Sequence, residues 1–151
     1  MSTFKSPDDI LDFAIAQEEE SYNFYTDMAG KMGNPVMSRV FKDFAGEELQ
    51  HKRKLLMVKD ERILAAHPGK VMDLKIVDYL VPSEPTPDMG YQEVLMLAMQ
   101  KEKAAFRLYM NLSEKAGEDN LRNLFLFLAQ EEAKHKLRFE LEYDDHVLTD
   151  N

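Results

Sequence analysis

The sequence predicts an all-α fold: a four-helix bundle made of two helical hairpins and one long crossover. Three observations carry that expectation. Apolar residues recur at helical spacing through four long stretches. The stretches pair off around short breaks at Gly33 and Gly117. The second pair then repeats the first in the same register, 84 residues further on and without a gap. Tyr25/Tyr109, Gly33/Gly117, Phe41/Phe125, Glu47/Glu131 and Lys52/Lys136 all keep that offset. At 151 residues the chain has the length of one ordinary domain, able to bury a substantial core. We therefore expect a single domain over 1–151, with internal copies at about 10–66 and 91–145 and a crossover at 67–90.

Each element has a local reason. Ser6-Pro7-Asp8-Asp9 offers a cap, a first-turn proline and early acids ahead of the apolar periodicity from Ile10 to Met32, which predicts helix one. Helix two is predicted from Pro35 to about Ala66, with Phe41, Phe44, Leu55 and Val58 on its buried stripe and His67-Pro68-Gly69 as its stop. Helix three starts near Tyr91 and ends before Gly117; helix four runs from about Glu118 to Tyr143. The crossover segment Val71–Val81 is too apolar to remain solvated and is expected to pack on the bundle or on a second subunit. The segment from Pro82 to Pro87 reads as stiff and extended. Two short-looped hairpins joined by one long connection are a bundle of the ferritin-like type.

Composition narrows the function classes. A 44% hydrophobic, 31% charged chain is that of a soluble globular protein, and 28 acidic against 19 basic side chains disfavour a nucleic-acid surface and an anionic membrane. The N-terminus lacks the apolar stretch of a signal peptide and no run of about 18 apolar residues spans a bilayer, so a cytoplasmic protein is expected. The chain has no cysteine, which rules out disulfides, thiol catalysis and a cysteine-ligated iron centre within it. Any such electron relay must come from a partner.

The repeat also carries the candidate chemistry. Glu18 pairs with Glu48-Leu-Gln-His51, and Glu102 with Glu132-Ala-Lys-His135. Glu18 and Glu48 lie 15 residues either side of Gly33, as Glu102 and Glu132 do about Gly117, so each hairpin sets its acids at matched height. Periodicity puts Glu48 and His51 in line with Phe41, Phe44, Leu55 and Val58, and Glu132 and His135 in line with Phe125, Leu128 and Phe139. Glu18 shares an inward line with Leu11, Ile15, Tyr22 and Tyr25; Glu102 shares one with Leu95, Ala98, Phe106 and Tyr109. Glu47 and Glu131 are rotated about 100° away, given about 3.6 residues per turn, and are weaker candidates. Four buried carboxylates would repel one another, and two divalent cations cancel four negative charges. Carboxylates with one imidazole per metal suit iron or manganese, with zinc able to compete.

The remaining candidates have ordinary readings. Tyr25 and Tyr109 either donate hydrogen bonds to ligand carboxylates or simply pack in the core. His67 and His146 sit at element ends in structural or solvated roles. Lys52-Arg53-Lys54 and Lys134, Lys136, Arg138 read as solvated helix faces. The ten methionines read as core filling.

With Glu18, Glu48-x-x-His51, Glu102 and Glu132-x-x-His135, the chain resembles the rubrerythrin-like branch of the ferritin-like superfamily over nearly its whole length. Ala14-Ile-Ala-Gln-Glu18-Glu-Glu-Ser-Tyr-Asn-Phe-Tyr25 and Phe44-Ala-Gly-Glu-Glu48-Leu-Gln-His51-Lys look like that branch's first two helix motifs. The resemblance implies Glu18 and Glu102 as terminal ligands, Glu48 and Glu132 as bridging ligands, and His51 and His135 as one imidazole for each of two iron ions per subunit. There are two departures from the branch's usual pattern: the cysteine-free chain holds no rubredoxin centre, and Ala105 stands where a further glutamate follows the third-helix ligand.

The resulting expectation is a non-haem dinuclear iron oxidoreductase, a peroxidase reducing hydrogen peroxide or dioxygen with electrons from an external donor such as a rubredoxin. No catalytic residue is expected beyond the metal ligands. The alternative is an iron-binding or storage protein with ferroxidase activity, and a scaffold without redox chemistry is third. A homodimer is expected because a lone bundle leaves the apolar crossover incompletely covered.

Overall fold

The computed structural model describes residues 3–81 and 83–150, the side chains of 149 and 150 excepted; Pro82 of the expected stiff stretch therefore lies outside the described residues. Among them the fold is all-α and ferritin-like, with two long antiparallel helix pairs and no strand. The helices are α1 (Pro7–Lys31), α2 (Pro35–Asp60), α3 (Ile63–Ala66), α4 (Tyr91–Lys115) and α5 (Asp119–Asp150). The chain divides into two compact units, Phe4–Pro68 and 69–150 with Thr3, each containing one hairpin.

In the first unit α1 packs along α2. Ser6 caps α1, its Oγ accepting from the Asp9 amide at 3.1 Å, and Pro7 occupies the first turn as expected. The Asn34 side chain caps α2 by accepting from the amides of Val36 and Met37. The core side of this hairpin is Ile10, Leu11, Ala14, Tyr25, Phe41, Leu55 and Val58. Lys52–Glu19 at 3.2 Å and Lys59–Asp12 at 2.6 Å tie the helices together at the surface.

Helix two does not continue to Ala66. It ends at Asp60, Arg62 takes a left-handed conformation (φ 58°), and α3 adds a single turn. Such a φ disfavours a residue with a Cβ. Here it accompanies a change of direction that leaves Leu64 fully buried and places α3 against both α1 and α2. A straight periodic reading cannot see that bend, because Glu61-Arg62 contains neither glycine nor proline.

In the second unit α4 packs along α5. Both Glu118 carboxylate oxygens cap α5, accepting from the amides of Asn120 and Leu121. Helix four was expected to end at Tyr143 but extends to Asp150. No breaker follows Tyr143, and Tyr91 at the start of α4 holds the added length: its hydroxyl donates to Glu142 at 2.8 Å and its ring meets His146 edge-on. Burial and then Glu142 push the Tyr91 hydroxyl pKa well above its ordinary value.

The crossover packs on its own hairpin. It forms two short 3-10 turns, Val71–Asp73 and Ile76–Tyr79, that lie on α4. Val71, Leu74 and Tyr79 are buried, and the Tyr79 hydroxyl accepts from Asn111 at 2.8 Å. Val77 and Leu80 stay exposed. Thr3 bridges Lys75 in antiparallel fashion. Gly69 opens the segment with φ +55°, so close to Lys115 that a Cβ there would overlap its carbonyl oxygen, while the Lys70 amide donates to that same oxygen.

Candidate metal centre

Each hairpin assembles its own cluster of two glutamates and a histidine. In the first, the turn after Gly33 brings the fifteenth residue of each arm level, and the imidazole of His51 faces both acids: Nδ1 lies 3.3 Å from Glu48 and 3.6 Å from Glu18. In the second, Nδ1 of His135 lies 3.5 Å from Glu102 and 3.9 Å from Glu132. Within each triad the candidate ligand atoms lie within 4.8 Å of one another. All six residues are buried, none more than 2% exposed. The sequence-predicted positions therefore come together three and three as the register required.

The electrostatics of the first triad show how unusual this burial is. Burial is the largest influence on His51 and works to lower its pKa. The carboxylates of Glu18 and Glu48 outweigh it and raise the value to about 10. The protonated ring is thus the positive charge that two buried acids demand, and a divalent cation answers the same demand more fully. Two carboxylates and an imidazole are a donor set that iron and manganese accept.

The weaker candidates separate cleanly. Glu47 and Glu131 are only half-buried, and Glu131 is paired with Lys134 at 3.2 Å. The acids that follow Glu18 on α1 also stay outside the core: Glu20 is exposed, and Glu19 is exposed and engaged by Lys52. Tyr25 is fully buried with its ring against Phe24, Phe41 and Phe44, and Tyr109 is stacked on Phe125 at 6.4 Å. Both are thus built into the aromatic packing of their own hairpins. His67 closes α3, its amide donating to Ile63, and His146 packs on Tyr91, matching structural roles. Sequence reasoning missed the Ser38 and Ser113 hydroxyls, which clamp the hairpin turns by donating to the Ala29 and Arg122 carbonyls. A serine near a helix end carries no signal that distinguishes such a clamp from solvation.

An all-α ferritin-like chain with a buried Glu/Glu/His cluster in each of two repeated hairpins falls in the class of helical proteins equipped for a dinuclear metal site. The family model for rubrerythrin matches residues 9–143, and the chain belongs to that family. Within these 151 residues there is no rubredoxin domain. A hypothetical protein from Pyrococcus furiosus has a similar fold, with a TM-score of 0.74 at 24% identity over 93% of this chain and 89% of that one. No curated protein matches the chain. No helix among the described residues is long and apolar enough to cross a membrane.

Proposed function

We propose that this chain is a non-haem dinuclear iron oxidoreductase that reduces hydrogen peroxide, or dioxygen, with electrons delivered by another protein. The observation that carries the proposal is the burial of one Glu/Glu/His triad in each repeated hairpin of a rubrerythrin-family chain. Glu18, Glu48 and His51 would hold one ion, and Glu102, Glu132 and His135 the other, with the two hairpins acting as one domain. Iron, when bound, supplies the electrons for a two-electron reduction.

The protein's own contribution is charge, order and dryness. The carboxylates neutralise the cations and the imidazoles complete the donor sets. Burial of all six side chains keeps bulk water from the reacting oxygen species. Tyr25 and Tyr109 brace the helices beside Glu18 and Glu102 and tune the site only through packing or a hydrogen bond. With no cysteine in the chain, re-reduction depends on an external donor such as a rubredoxin.

The test uses anaerobic protein loaded with ferrous iron. One equivalent of hydrogen peroxide should oxidise the iron much faster than one equivalent of dioxygen, after which consumption should stop until reduced rubredoxin and its reductase are added. A protein that ignores peroxide yet mineralises many irons per chain in air would replace this reading with iron storage.

A further inference from the structure

Between α4 and α5 lies a cavity of about 390 Å³, within the size range of small-molecule sites. Its walls are Lys103, Phe106 and Arg107 from α4 and Ala133, Lys136 and Glu140 from α5; none of the six triad residues lines it. Lys103 follows Glu102 and Lys136 follows His135, so at about 100° per residue both turn away from the triad. The repeat supplies an internal control. The counterparts 84 residues earlier are Glu19, Tyr22, Asn23, Leu49, Lys52 and Leu56. There Glu19 and Lys52 pair across the helices at 3.2 Å, and the set is neutral. In the second hairpin Lys103 stands at the position of Glu19. Lys136, the counterpart of Lys52, therefore meets a like charge on the facing helix and pairs instead with Glu140 on its own, at 3.1 Å. Arg107 stands at the position of Asn23, and Ala133 at that of Leu49, which frees volume. Among the described residues neither Lys103 nor Arg107 makes a hydrogen bond or ion pair. Three cations against one acid leave two positive charges around this cavity, in a chain whose net charge is -9.

We propose that this cavity binds a small organic phosphomonoester, its phosphate on Lys103, Arg107 and Lys136 and a flat apolar body against Phe106 and Ala133. Charge, shape and size agree. A phosphomonoester carries about -1.5 to -2 at neutral pH, which matches the two uncompensated cations. Arg107 offers a planar fork that takes two phosphate oxygens at once, and the lysines supply point charges beside it. The half-buried Phe106 ring gives a face for offset stacking. Glu140 holds Lys136 at the wall. The first hairpin, with its groove bridged by Glu19 and Lys52, offers no such surplus of positive charge. The proposal does not rest on the metal reading.

Equilibrium dialysis of phenyl phosphate against the metal-loaded full chain tests it. One site per chain is expected, weakening as salt rises. Inorganic phosphate lacks the ring and benzoate lacks the second charge, so each should bind about fivefold more weakly. Lys103→Glu restores the charge arrangement of the first hairpin, letting Lys136 pair across the helices. It should weaken phenyl phosphate binding by about tenfold or more, with an unchanged helical circular dichroism spectrum. Phe106→Ala should cost about fivefold for phenyl phosphate and nothing for inorganic phosphate, a split that collapse of the cavity would not produce. Lys42→Glu, an equal change of charge at an exposed position of α2, should leave binding intact. Absence of phenyl phosphate binding at millimolar concentration overturns the proposal. Binding that persists in the Lys103→Glu, Arg107→Gln double variant overturns it equally, assigning the anion to the metal centre or to another surface. Equal affinities for inorganic phosphate and phenyl phosphate also overturn it, leaving a patch that attracts any anion.

Discussion

The two hairpins agree where they hold chemistry and part company where they meet their surroundings. Each sets two glutamates and a histidine at the same register from its turn, and each buries all three. Even the turn clamp is kept, with its roles exchanged: Ser38 donates to the carbonyl of residue 29 in the first hairpin, while in the second the residue at the equivalent of 29, Ser113, donates to the carbonyl at the equivalent of 38. The capping position is likewise kept with different chemistry, Asn34 in one and Glu118 in the other. Outside, the first hairpin ties its helices with Lys52–Glu19 and Lys59–Asp12, whereas the second lengthens α5, braces it with Tyr91–Glu142 and carries the crossover. The interior of the repeat is constrained by a shared donor set; the exterior carries no such constraint and diverges.

That division can be broken most forcefully in the core. Phe41 and Phe125 are repeat equivalents and both are fully buried. Phe41→Ala and Phe125→Ala should each destabilise the protein by about 3–5 kcal/mol, and by similar amounts, in urea unfolding. A large disparity would show that the hairpins are not equivalent inside.

Metal removal should reveal the shared electrostatics. Chelated protein should melt below the metal-loaded form at neutral pH, by a margin growing with free metal to roughly 2.7 kcal/mol at a hundredfold excess over the dissociation constant. Replacing Glu18 and Glu102 with Gln should recover part of the loss in the metal-free form, because two buried charges are removed. An unchanged melting temperature on chelation would show that the acids need no counter-cation.

The turns sharpen the contrast further. Gly69→Ala should cost roughly 2 kcal/mol or more, since a Cβ at φ +55° meets the backbone of Lys115 and Ala116. Gly33 has open space around the position of a Cβ, so Gly33→Ala should stay within about 0.5 kcal/mol of wild type in the same assay. The smallest expected effect is at the surface. Met57→Glu on α2 and Leu141→Glu on α5, repeat equivalents that are both exposed, should each stay within about 0.5 kcal/mol of wild type in urea unfolding.

Much of this was legible because the repeat aligns without gaps. Fifteen residues from each glycine to each glutamate dictate matched heights, and periods of three and four residues dictate burial; the structure keeps both. What escaped the sequence depended on contacts made at a distance. Arg62 breaks α2 without a glycine or proline to announce it, while α3 buries Leu64 against the hairpin. The added turns of α5 depend on Tyr91, some fifty residues earlier in the chain. The crossover was expected to pack on the bundle or on a second subunit; Val71, Leu74 and Tyr79 are covered within the chain, with both short turns on α4, and which of the two it would be was not written in the segment's own apolar pattern.

The central claim is that two repeated triads hold two metal ions, and stoichiometry tests it most directly. Metal-free protein titrated anaerobically with ferrous iron in a calorimeter, with elemental analysis of the product, should bind about two ions per chain, one for each Glu/Glu/His set. The Glu48→Ala, His135→Ala double variant, which removes one ligand from each hairpin, should bind close to none while keeping its helical spectrum. A wild type that binds no iron, or a double variant that binds as much as wild type, would contradict the account.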